Sequence, residues 1–142
     1  MLQRLQAWFS GKSGDGAGDR GERLAAEWLE RERGFGVVVR NWRSPRDRRE
    51  EIDLVCRDAG VLVFVEVKAR AANALVPGYH AVDQRKKRVL RRAIRAYLGQ
   101  LREKPPTFRF DVVEVSFAVE AAAPPQILHF ENVPLFSKHF RA

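Results

Sequence analysis

The sequence predicts an α/β fold, a mixed sheet flanked by helices, on three observations. Two stretches carry apolar residues at helical spacing with start and stop signals at their ends, and runs of strand character lie between and after them. One of those runs is apolar on both faces, as a strand covered from both sides must be. The 142 residues suit a single domain large enough to bury a core.

The domain is expected over residues 19–133, between a flexible N-terminal tail, 1–18, and a C-terminal tail, 134–142. Residues 10–18, SGKSGDGAG, have the composition of a flexible linker. In DRGERLAAEWLERERG, Asp19 is the expected cap of a helix whose apolar stripe is Leu24, Ala25, Trp28 and Leu29, and Gly34 supplies the left-handed stop. FGVVVRNWR reads as a strand and SPRDRRE as a polar loop. EIDLVCRD and VLVFVEVKAR read as a hairpin turning at Asp58, Ala59 and Gly60, with the second arm central. AVDQRKKRVLRRAIRAYLGQL sets Val82, Val89, Leu90, Ala93, Ile94, Tyr97, Leu98 and Leu101 at helical spacing, with Asp83 in the first turn, where the dipole favours it. FRFDVVEVSFAV is the next strand, residues 121–125 a turn, and QILHFENV a last edge strand.

Twenty-six Lys and Arg against 18 Asp and Glu leave a net charge of +8 and a pI near 10.4, which suits a polyanionic partner, nucleic acid first. The single cysteine, Cys56, excludes an internal disulfide, and its apolar setting marks a core residue rather than a nucleophile. No run approaches the roughly 18 apolar residues of a membrane span, and MLQRLQAWFSG lacks the apolar centre of a signal peptide. A cytoplasmic protein with no membrane partner is the expectation.

The chemistry concentrates in EEIDLVCRDAGVLVFVEVKAR. Alternation puts Glu66 and Lys68 on one face of their strand and Val65 and Val67 on the other, and a hairpin of this length brings Asp53 beside Glu66. Two neighbouring acids repel unless a cation lies between them. Hard oxygen donors with room for water suit Mg²⁺ or Mn²⁺, and the lysine beside them can orient water or offset charge developing on a phosphate. The bland alternative is a solvated cross-strand charge cluster, although eight of the ten residues from Gly60 to Ala69 carry no charge. Glu22 borders the buried stripe of the first helix, as a fourth member or as an ordinary first-turn glutamate. Lys86 borders the buried face of the second helix, as a site residue or as a snorkelling lysine.

The blocks GDRGERLAAEWL, GFGVVVRNWR, EIDLV, FVEVKAR and FRFDVV, in that order over about residues 19–117, resemble the YraN family. That family is itself similar to the PD-(D/E)xK superfamily of restriction-endonuclease-like nucleases and, in layout, to archaeal Holliday junction resolvases. The resemblance implies an αβββαβ core with Asp53 as the motif aspartate, Glu66 and Lys68 as the (D/E)xK pair, Glu22 as the helical acid and Lys86 as the helix lysine. It also implies Asp53, Glu66 and the backbone carbonyl of Val67 as metal ligands. The chain departs from the family pattern at Glu50, where a glycine is usual before Glu51, and in the length of the SPRDRRE loop.

The function expected is therefore Mg²⁺-dependent endonucleolytic hydrolysis of DNA, at branched or structured sites. Arg43, Arg46, Arg48, Arg49, Arg85, Lys86 and Lys87 are the expected phosphate contacts, and a homodimer is the assembly to test. The alternative is a nucleic-acid-binding module that keeps the fold without turnover; an adaptor docking through VPLFSKHF ranks third.

Overall fold

The computed structural model describes residues 16–71, 83–120 and 122–136, and expectations for residues 1–15, Val82, Ala121 and 137–142 lie outside them. The described residues form α1 (Ala17–Arg33), β1 (Gly36–Arg43), β2 (Glu51–Asp58), β3 (Val61–Ala71), α2 (Gln84–Gln100), β4 (Thr107–Phe117) and β5 (Gln126–Phe130). The strands lie in one sheet in the order β1-β2-β3-β4-β5. Only β3 and β4, joined through α2, are parallel; every other neighbouring pair is antiparallel. This is the mixed α/β sheet that the sequence predicts, with β3 at its centre.

Each face of the sheet has its own core, because successive residues of a strand point to opposite sides. Val63, Val65, Val67 and Ala69 of β3 pack with Ala25, Ala26 and Leu29 of α1. Leu62 and Phe64 pack with Leu90, Ala93, Ile94, Tyr97 and Leu98 of α2. Each fully buried Leu, Ile, Val or Phe contributes roughly 1.5–3 kcal/mol relative to an exposed one, so the two helices are held chiefly by these stripes.

The helix ends differ in part from expectation. α1 begins at Ala17 with Gly16 in the cap position and no side-chain cap, so Asp19 is a first-turn acid rather than the cap. Its C-terminus is as read: Gly34 sits at φ 67° and its backbone N–H reaches the Leu29 carbonyl. Asp83 is itself the cap of α2, accepting the Lys86 N–H at 2.8 Å. At the other end Leu135 is buried in the α2 core and Phe136 packs edge-on against Phe108, so ordered packing continues past residue 133.

Candidate active site

The site arises where regular strand pairing stops. The β2–β3 ladder runs from Asp58↔Val61 to Leu54↔Val65 and ends there, although β3 continues beside β4 as far as Ala71. Continued by one step, the register would set Asp53 opposite Glu66. Instead the Asp53 carboxylate enters the gap, and its Oδ2 accepts the Val67 N–H at 2.8 Å. The N–H and C=O of one residue point to the same side of an extended strand, so the Val67 carbonyl faces this gap as well. On the other flank of β2, the pairs Arg40↔Leu54 and Trp42↔Ile52 bracket Asn41, whose φ of 52° breaks the regular strand beside Asp53.

Glu66 and Lys68 share the α2 face of β3, as alternation predicts. Lys68 Nζ and Lys86 Nζ each lie 3.4 Å from Glu66 Oε1, so one carboxylate oxygen faces two ammonium groups. The side chains of Glu66 and Lys68 are 3% and 4% exposed, which excludes a solvated edge cluster. Lys86 reaches inward from the first turn of α2 instead of snorkelling outward.

Sequence reasoning missed the next members of this row. Glu114, fully buried, is the register partner of Lys68 across the parallel ladder and pairs with Arg70 Nε, two residues beyond Lys68. Ser116 Oγ lies 3.4 Å from the same Glu114 oxygen. The clue was available, since Glu114 is an acid inside the apolar run VVEV just as Glu66 is inside FVEV. The α2 side of β3 and β4 is therefore apolar toward their amino ends and charged toward their carboxyl ends.

Glu22 is buried on α1, as its place beside the stripe suggests. A groove of about 200 Å³, lined by Asp19, Glu22, Arg23, Arg40, Asn41 and Leu54, runs alongside it and reaches the strand position next to Asp53. α1 approaches β3 closely at Gly21, where a Cβ would stand 2.6 Å from Ala69 Cβ. The seven expected phosphate contacts do not form one group. Arg46, Arg48 and Arg85 are exposed, Arg43 pairs with Glu51 at 3.3 Å, Arg49 is tied to Asp47 at 3.0 Å, Lys87 is half-buried, and Lys86 serves Glu66.

On the α1 face a second buried acid has a different environment. Asp111 Oδ2 lies 2.8 Å from His129 Nε2, and the Asn132 N–H donates to Oδ1 at 2.9 Å. Arg109 donates to both oxygens, and its Nη1 also reaches Asp58 at 2.9 Å. Burial works against the charged form of Asp111, but these donors outweigh it and hold the carboxyl below the usual aspartate range. Trp28 and Phe35 close over His129 edge-on.

Residues 21–115, from Gly21 of α1 to Val115 of β4, match a profile of the uncharacterised protein family UPF0102. The chain belongs to that family. It is the family also called YraN, so the resemblance carried by the sequence blocks is borne out. Curated UPF0102 relatives include a protein of Symbiobacterium thermophilum, 46% identical over 69% of this chain and 80% of its own length. One from Anaeromyxobacter dehalogenans is 43% identical over 85% of this chain and 87% of its own, and one from Geobacter metallireducens is 38% identical over 81% and 88%. The UPF0102 span takes in Glu22, Asp53, Glu66, Lys68, Lys86 and Glu114 and leaves out β5 with His129. Among the described residues no helix is long and apolar enough to cross a membrane.

Proposed function

We propose that the chain is a Mg²⁺- or Mn²⁺-dependent endonuclease that hydrolyses DNA phosphodiester bonds, with branched or structured DNA as the preferred substrate on its likeness to the PD-(D/E)xK nucleases and resolvases. One observation carries this reading: Asp53, Glu66 and Lys68 are all buried where β2 parts from β3, Asp53 on the Val67 N–H and Lys68 on Glu66. A sheet interior gains nothing from such a trio in place of valine, since buried charge costs several kcal/mol before pairing.

The donors fit a hard cation. Asp53 and Glu66 offer carboxylates and Val67 a backbone carbonyl facing the same gap, all oxygen. Among the described residues no group of three or more His, Cys, Asp or Glu is gathered as a metal cage. An all-oxygen set of two carboxylates and a carbonyl suits Mg²⁺, which keeps several waters and takes only one or two carboxylates, better than zinc. Held there by Asp53, Glu66 and the Val67 carbonyl, such an ion would supply Lewis acidity toward a phosphate oxygen and the attacking water. Lys68 places a compact positive charge beside Glu66, where it orients the attacking water or offsets charge as water adds to phosphorus and the ester P–O bond breaks. Lys86, 3.4 Å from the same Glu66 oxygen, helps fix that carboxylate in place.

Cleavage is tested on single-stranded, duplex, flapped and four-way DNA under single-turnover conditions with and without Mg²⁺. Lys68→Ala should cut on the order of 100-fold slower with DNA affinity within a few-fold, because an interaction made only in the transition state changes rate and not binding. Millimolar Mg²⁺ should raise the melting temperature of wild type and not of Asp53→Asn. Equal cutting by Lys68→Ala would remove the catalytic role of that lysine. A wild type that binds but never cuts would leave a binding module.

A further inference from the structure

We infer that the solvent-facing ridge of α2, formed by Arg85, Arg88, Arg92 and Arg95, is a docking track for the phosphate backbone of a nucleic acid, outside the cleft where the chemistry is proposed. The choice of nucleic acid as the polyanion rests on the proposed function; the ridge itself rests on the helix.

α2 carries seven cations and no acid between Gln84 and Gln100. Steps of three, four and three residues put the four arginines on one side of the helix, opposite buried Leu90, Ala93, Ile94, Tyr97 and Leu98, and all four are exposed. At about 1.5 Å per residue the row spans about 15 Å, a length over which duplex DNA presents roughly nine phosphates on its two strands.

The row is not an ordinary solvated face. Such faces usually interleave signs, because like charges three or four residues apart repel. This helix accumulates such pairs, Arg85 with Arg88, Arg88 with Arg92 and Arg92 with Arg95, without an acid of its own to offset them. Among the described residues no carboxylate lies within ion-pair distance of Arg85, Arg88 or Arg92, and Arg95 rests over the Phe136 ring at 5.9 Å. An anionic lipid surface is the less favoured polyanion. The apolar stripe of α2 is consumed by the sheet, leaving nothing to insert between lipids.

The test uses the full chain carrying Arg88→Gln, Arg92→Gln and Arg95→Gln together, with the three Arg→Lys changes as the charge-conserving variant. Binding to fluorescent duplex and single-stranded oligonucleotides is measured by anisotropy over a salt series without divalent ions, and thermal melting checks that each variant folds. The Gln variant should lose about 2 to 3 units of slope in log affinity against log salt, and on the order of 100-fold in affinity near 0.1 M salt, whereas the Lys variant stays near wild type. A folded Gln variant with the wild-type slope overturns the ridge, as does a wild type with no salt-dependent binding. Loss of binding to phosphatidylserine vesicles with DNA binding unchanged overturns it in favour of a membrane surface. Because no cleavage is read, an absence of nuclease activity leaves this result interpretable.

Discussion

Asp53 and Asp111 are both fully buried acids of the sheet, and their partners separate their roles. Asp111 is saturated by Arg109, His129 and the Asn132 N–H in a closed network that ties β5 and the chain after it to β4. Asp53 accepts the Val67 N–H at the point where a ladder ends. The first pattern holds the fold together; the second leaves an acid at a break in the sheet. Because the Asp111 carboxyl is held below its usual range in the folded state, its stabilisation is present above the unfolded value near 3.9 and is lost as pH falls through the lower folded value. Asp111→Asn should cost about 3 kcal/mol at pH 7 by leaving Arg109 short of its main partner, and should remove part of the wild-type loss of stability below pH 4. Denaturant titrations of both proteins from pH 7 to pH 3 read this, and identical acid profiles would count against the network.

At the scale of elements, two irregularities make the site. β3 outruns β2, so the end of one ladder leaves a backbone N–H that Asp53 takes up. α1 closes on β3 at Gly21, a position where helix propensity alone favours alanine by about 1 kcal/mol. The glycine is retained because the Ala69 methyl occupies the space a side chain needs. Gly21→Val should therefore lower stability by about 1–3 kcal/mol, the usual cost of overpacking, and lift neighbouring Glu22 away from the sheet. A melting temperature equal to wild type would show that α1 can shift freely, and the close approach would then have no role in placing Glu22.

Across the whole molecule, the charged row lies toward the carboxyl ends of the parallel pair β3 and β4, while the apolar row beneath α2 lies toward their amino ends. Ligand sites of open α/β sheets gather at the carboxyl ends of strands, where loops replace covering helix. Away from that row, the middle of the sheet, β2, β3 and β4, is a core buried on both faces. Cys56 belongs to it: burial, with a smaller contribution from the charge of Asp111, pushes its thiol up to about 12. A thiol reagent at pH 8 should therefore label native protein only at the rate of opening, accelerating in step with denaturant-induced unfolding. Fast labelling of native protein would mean that the α1 face opens locally.

The order of the elements was legible in the chain because each signal is local. The periodicity of Leu90 to Leu98, Gly34 as a left-handed stop and the doubly apolar VLVFV each depend only on near neighbours. Parity alone likewise set Glu66 beside Lys68. Other features required the folded chain, since they depend on residues far apart in sequence. The parallel ladder brings Glu114 beside Lys68, and the packing of α2 on the sheet turns Lys86 toward Glu66. Gly16 and not Asp19 takes the cap position of α1, without any side-chain cap, which capping preference does not express. The gap that receives Asp53 exists because β3 pairs longer with β4 than with β2, and strand length against a particular neighbour is a property of the sheet and not of either strand.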